Sequence, residues 1–165
     1  IDLNLRNQEA HAATNSADVD YSWVDISDLT LDINVNNLAT IFYQFSGVFR
    51  AKVRDTGFDD YYYEHCMMRI RLLHNNSEVA KISEDIKIKN KYEEDDWGNP
   101  VPVMTYRQFK NITISKAFNL NENSSNEFKL QFGFTDFGQC LTNTAKEINF
   151  VKGKVNAVRF MVGDN

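Results

Sequence analysis

The stretch Leu29–Arg50, LTLDINVNNLATIFYQFSGVFR, followed by Ala51–Arg54 (AKVR), changes character halfway along. In its first part Leu29, Leu31, Ile33 and Val35 alternate with Thr30, Asp32, Asn34 and Asn36. That period of two belongs to a strand with one dry and one wet face. Asn36-Asn37 interrupts the run, and Asn tolerates the backbone of a tight turn. The two strands flanking it are therefore expected to form a hairpin. The second part is apolar on both sides: Ala39, Ile41, Tyr43, Phe45, Gly47 and Phe49 on one, Phe42 and Val48 among Thr40, Gln44 and Ser46 on the other. A strand of that kind is expected deep in a sheet and covered on both faces.

The same alternation continues outward. Cys66, Met68, Ile70 and Leu72 oppose His65, Met67, Arg69 and Arg71, and Asn75-Asn76 follows as a second turn. Phe128, Leu130, Phe132 and Phe134 alternate with Lys129, Gln131, Gly133 and Thr135, and Lys154–Val162 is apolar on both faces. Further strands are expected at Val79–Lys89, Val103–Phe109 and Ile112–Leu120, whereas Lys89–Pro102, which holds both prolines, reads as a long surface loop. No segment longer than a turn sustains a helical period. The fold class is thus all-β, an antiparallel β-sandwich, jelly-roll-like, of about eight to ten strands. Residues 1–8 read as a polar arm or linker and 9–165 as a single domain, since 165 residues suffice for one self-sufficient core.

Composition narrows the function classes. Aromatics at 13% suit strands, and 42% apolar with 25% charged residues is ordinary for a globular chain. A net charge of −5 argues against a nucleic-acid surface, and no apolar run is long enough for a membrane helix. No nucleophile elbow, phosphate-binding glycine loop or zinc-protease helix occurs, and His11, His65 and His74 are scattered. The chain is expected to be non-enzymatic and to need no cofactor. Cys66 and Cys140 read either as two buried thiols or as a disulfide closing a long loop, and no Cys or His stands at zinc spacing.

The segments Thr14–Ile33 (TNSADVDYSWVDISDLTLDI) and Asn36–Phe49 (NNLATIFYQFSGVF) resemble the opening of jelly-roll head domains of phage and viral fibres or spikes. Complement-type and tumour-necrosis-factor-like globular heads are similar in strand order and, like this chain at Val155–Val162, end on a hydrophobic strand. The resemblance implies a homotrimer, extracellular or on a virion surface, that displays loops to a receptor or glycan.

Three clusters are candidate sites. Tyr61, Tyr62 and Tyr63, preceded by Asp59 and Asp60, could stack on a sugar, although Tyr is also a common half-buried strand residue. Glu93, Glu94, Asp95 and Asp96 read as a solvated acidic loop, with calcium as the alternative. Trp97 beside them is costly to leave in water, so it either caps its own core or anchors a partner or glycan. Met67, Arg69 and Arg71 suit a subunit interface, or a second apolar layer with arginine stems reaching its rim. Sequons at Asn75, Asn111 and Asn123 complete the features that bear on the surface. A monomeric secreted carbohydrate-binding domain using Trp97 and Tyr61–Tyr63 is the rival to the trimeric head.

Overall fold

The computed structural model describes residues 4–10, 16–17, 22–55, 63–89, 92–94, 96–102, 106–136 and 144–161. Twelve strands occur among them: β1 (Asn4–Ala10), β2 (Ser16–Ala17), β3 (Val24–Asp25), β4 (Leu31–Val35), β5 (Ala39–Asp55), β6 (Tyr63–His74), β7 (Ser77–Lys89), β8 (Tyr92–Glu94), β9 (Pro100–Pro102), β10 (Tyr106–Leu120), β11 (Ser124–Asp136) and β12 (Thr144–Met161). A single 3-10 turn, Ser27–Leu29, precedes β4.

Eight of these strands build the sandwich. The first sheet runs β1-β12-β5-β10 and the second β4-β11-β6-β7, with every pairing antiparallel. Taken in chain order, the first of the eight pairs with the last, the second with the seventh, the third with the sixth, and the fourth with the fifth. That is one long antiparallel ribbon rolled over on itself, the jelly-roll arrangement expected from the strand pattern. Short strands β2 and β3 pair with β12 and β11, respectively.

Alternation explains what lies between the sheets. From the first sheet Tyr43, Phe45, Phe49, Ile114 and Phe150 point inward, and from the second Met68, Ile70, Phe128, Leu130 and Phe132 meet them, all buried. Ring contacts cross the gap, with centroids 5.4 Å apart for Phe49–Phe132 and 5.5 Å for Tyr43–Phe128. Among the described residues two polar side chains, Asn126 and Asn149, are buried. Asn126 hydrogen-bonds through Oδ1 to His74 Nε2 at 2.8 Å and donates from Nδ2 to Ser124 Oγ at 3.0 Å. One side of the sandwich is closed by β10 and β7, where Lys110 approaches Glu84 (4.0 Å) and Lys116 Nζ donates to the Val79 carbonyl.

Several sequence expectations are corrected here. Strands β4 and β5 do not form a hairpin: β4 pairs with β11 and β5 with β10 and β12, so Asn36-Asn37 carries the chain from one sheet to the other. Their apolar faces, Leu31, Ile33 and Val35 against Ala39, Ile41 and Tyr43, are buried in the shared interior, which side-by-side pairing would not require. Asn75-Asn76, in contrast, is a two-residue hairpin loop between His74 and Ser77, with φ of 48° and 64°. Two left-handed central residues are the hallmark of a type I′ turn, whose twist matches that of the flanking strands. Residues 4–8, read as an arm, belong to β1 and pair with β12. Within the expected loop Lys89–Pro102, β8 and β9 form a small hairpin that turns through Gly98 at φ 77°. Finally, β5 is central, as its two apolar faces suggested, but only one face is covered among the described residues, and Phe42 on the other is 40% exposed.

Candidate ligand-binding surface

The outward side chains of β5, β10 and β12 form the outer face of the first sheet. Register sets them in rows: Gln44 lies between Ser115 and Asn156, Ser46 between Thr113 and Lys154, and Val48 between Asn111 and Lys152. Around the middle of this face the outward charges are Arg50, Lys152 and Lys154, and farther along the sheet the register sets Glu147 opposite Lys52. Arg50 is held by Asn149, to whose Oδ1 it donates from Nη2 at 2.8 Å.

A depression of about 370 Å³ lies in the middle of this face, with Ser46, Val48, Asn111, Thr113, Lys152 and Lys154 around a floor of Gly47, Ile112 and Gly153. A glycine pair lies in its floor. Gly47 and Gly153 face each other across β5 and β12, and beneath them lies the Phe45 ring. A Cβ on Gly153 would come within 3.0 Å of Phe45 Cε2, and one on Gly47 within 2.9 Å of the same atom. Glycine in a strand interior marks such close approaches. The register shifts at Val151, between Phe150 and Lys152, adding the bend that a β-bulge brings. Above the floor, Ser46 Oγ and Thr113 Oγ1 stand 3.4 Å apart.

The outer face of the second sheet has a different chemistry. Trp23 lies there with the guanidinium carbons of Arg69 and Arg71 at 4.6 and 4.1 Å from its ring centroid and Lys81 Nζ at 5.8 Å. Gly133 lets the Ser22 carbonyl close on β11, where any side chain would collide with it. The cations have acidic neighbours. Arg71 donates to Gln131 (2.7 Å) and pairs with Glu78 (3.4 Å), Gln131 donates to Asp25, and Lys129 pairs with Glu127 at 2.8 Å. The hydrogen bond that Lys129 donates to the Glu127 carboxylate raises the lysine's pKa above its ordinary value. This face is largely neutralised from within.

No family model and no curated protein matches the sequence. Among solved structures the chain is similar to the VP2 subviral particle of infectious bursal disease virus, at 12% identity and TM-score 0.34, covering 94% of this chain and 32% of that one. It is also similar to the Gt strain structure of the same virus, at 9% identity and TM-score 0.43, covering 99% of this chain and 38% of that one. A third likeness is to dimeric latent PorU from Porphyromonas gingivalis, at 14% identity and TM-score 0.30, covering 94% and 12%. The chain thus spans 32% and 38% of the length of these two viral chains. Likeness at this level assigns no function.

The residues singled out from the sequence are dispersed. Trp97 sits in the turn between β8 and β9, 85% exposed, with Asp96 exposed beside it. Glu93 and Glu94 belong to β8, opposite Val101 and Pro100. Tyr63 opens β6 opposite Lys89, and Cys66 in the same strand faces Ile86 and Asp136. Tyr61, Tyr62, Asp95 and Cys140 lie outside the described residues. Met67, Arg69 and Arg71 are half-buried on the second sheet's outer face, the two arginines against Trp23. Among the described residues no group of three or more His, Cys, Asp or Glu side chains is placed to hold a metal, and no helix is long and apolar enough to cross a membrane.

Sequence reasoning did not single out Lys152, Lys154, Thr113 and Asn111 as a set. They come together through pairing of strands far apart in the chain. Gly47 inside an apolar strand marks the close approach of the Phe45 ring beneath this face.

Proposed function

We propose that the chain is a non-enzymatic structural and recognition module. In this reading it is a jelly-roll head on a virus or phage surface that self-associates, as a trimer, and offers its remaining surface to a receptor or glycan. The observation that carries the reading is an uncovered apolar end on the first sheet's outer face. There Phe42 is 40% exposed and Phe160 42%, with Val158 and Ala117 on either side of Phe42 in register, and Leu38, 63% exposed, directly precedes the strand. Contiguous exposed apolar surface on a stable domain marks an association site. Sedimentation tests it: the expected mass is three times that of the 19.1 kDa chain, falling to the monomer when Phe42 and Phe160 are both replaced by lysine. A monomeric mass for the unaltered chain overturns the reading.

The exposure of Trp97 favours a second reading, a monomeric carbohydrate-binding domain that uses Trp97 with Tyr61–Tyr63. Its mark is a monomer whose glycan binding disappears in Trp97→Ala.

A further inference from the structure

The central depression on the first sheet's outer face has no lining residue from the Trp97 turn, and of the positions singled out in the sequence only Asn111, a sequon, belongs to it. We propose that it binds an acidic sugar, a pyranose bearing a carboxylate, within a short oligosaccharide. The inference rests on the recognition role above and names a place and a ligand class for it.

The chemistry of the lining selects this ligand. Its floor is the backbone of Gly47, Ile112 and Gly153 with the Val48 side chain beside it. Such a floor suits the C–H face of a sugar ring and lets it lie close to the sheet. Around it Ser46, Thr113 and Asn111 supply hydroxyl and amide groups, which both donate to and accept from sugar hydroxyls. Lys152 and Lys154 stand two residues apart on one face of β12, so their stems rise about 7 Å apart along the rim. Two ammonium groups, with no acid among the residues lining the depression, complement a carboxylate. One side chain extends the site: Phe109, on the same strand and face two residues before Asn111, is 59% exposed and offers a ring to a neighbouring sugar. A volume of about 370 Å³ is at the small end for ligand sites and suits one or two rings.

Other occupants fit less well. A polyanion such as nucleic acid or a heavily sulfated chain would meet the field of a molecule with net charge −5. An alkyl chain would gain little from an open depression ringed by hydroxyls, amides and ammonium groups.

The test is an amide NMR titration of the full chain with sialyllactose and with trigalacturonate as acidic probes, and lactose as the neutral control. Shifts are expected at Ser46, Gly47, Thr113, Lys152 and Gly153 with at least one acidic probe and not with lactose. The double variant Lys152→Glu/Lys154→Glu, on exposed positions, should melt at the unaltered temperature and bind at least about tenfold more weakly. Lys152→Gln/Lys154→Gln should fall in between, and Phe109→Ala should weaken binding without changing the preference for acidic over neutral probes. The proposal is overturned if neither acidic probe shifts these amides, if lactose binds equally well, or if charge reversal leaves affinity intact. Those outcomes are separate from the trimer mass, so the site can fail while the self-association reading stands.

Discussion

Replacing Tyr43 by phenylalanine removes one oxygen atom from the centre of the sandwich and leaves the ring that packs there. Tyr43 is fully buried and stacked on Phe128, and its hydroxyl has no hydrogen-bond partner among the described residues. In the unfolded chain that hydroxyl is hydrated, so folding strips it of water without replacement, at a cost of about 1–3 kcal/mol. Tyr43→Phe is therefore expected to raise the unfolding free energy by about 1–2 kcal/mol at neutral pH. A second consequence separates this from a simple gain in packing. Burial pushes the Tyr43 pKa far above its ordinary 10.0. Below pH 10 the phenol is protonated in both states and contributes no pH dependence. Above it the unfolded chain releases the proton and the folded chain keeps it, so stability falls as pH rises, by about 1.4 kcal/mol per pH unit for this one group. The phenylalanine variant lacks that term. Urea titrations from neutral pH to about pH 11 should thus show the variant's advantage constant at first and then widening. A variant less stable than the parent at neutral pH, or an advantage that stays flat to the alkaline end, would refute the argument.

Three further substitutions probe the backbone and the charged face. Gly47→Ala places a Cβ against the Phe45 ring and should cost about 1–3 kcal/mol, partly regained in combination with Phe45→Leu; urea midpoints decide, and an isolated Gly47→Ala without effect contradicts the packing described. Asn76→Ala should lose about 1 kcal/mol in thermal unfolding because of its φ of 64°, and Asn76→Gly should not; equal stability of the two variants would exclude the left-handed turn. Trp23→Ala should cost about 1–2 kcal/mol by removing the ring held against Arg69 and Arg71. A double-mutant cycle with Arg71→Ala should show positive coupling, and strict additivity would mean the stacking contributes nothing.

How much of this molecule is legible in its residues depends on whether the deciding force is local. Alternation along Phe128, Leu130 and Phe132 marks the buried side of β11, because side chains on a strand can only go up or down. The two-sided apolar character of β5 and β12 marks both as central strands of their sheet. It does not tell that the second face stays open, leaving Phe42 and Phe160 exposed at one end and a glycine-floored depression in the middle.

The two Asn-Asn pairs show the limit most clearly. Asn75-Asn76 and Asn36-Asn37 are the same dipeptide between apolar strands, yet among the described residues only the first pair adopts the left-handed turn of a hairpin. A turn preference amounts to about 1 kcal/mol, and burying whole apolar faces of two strands across the interior outweighs it several times over. Residue types by themselves determined that the chain is β, which sides are greasy and where it bends. Which strands lie side by side, and so which lysines, hydroxyls and rings share a surface, was decided by the tertiary packing, because contacts between residues a hundred positions apart have no local energy to announce them.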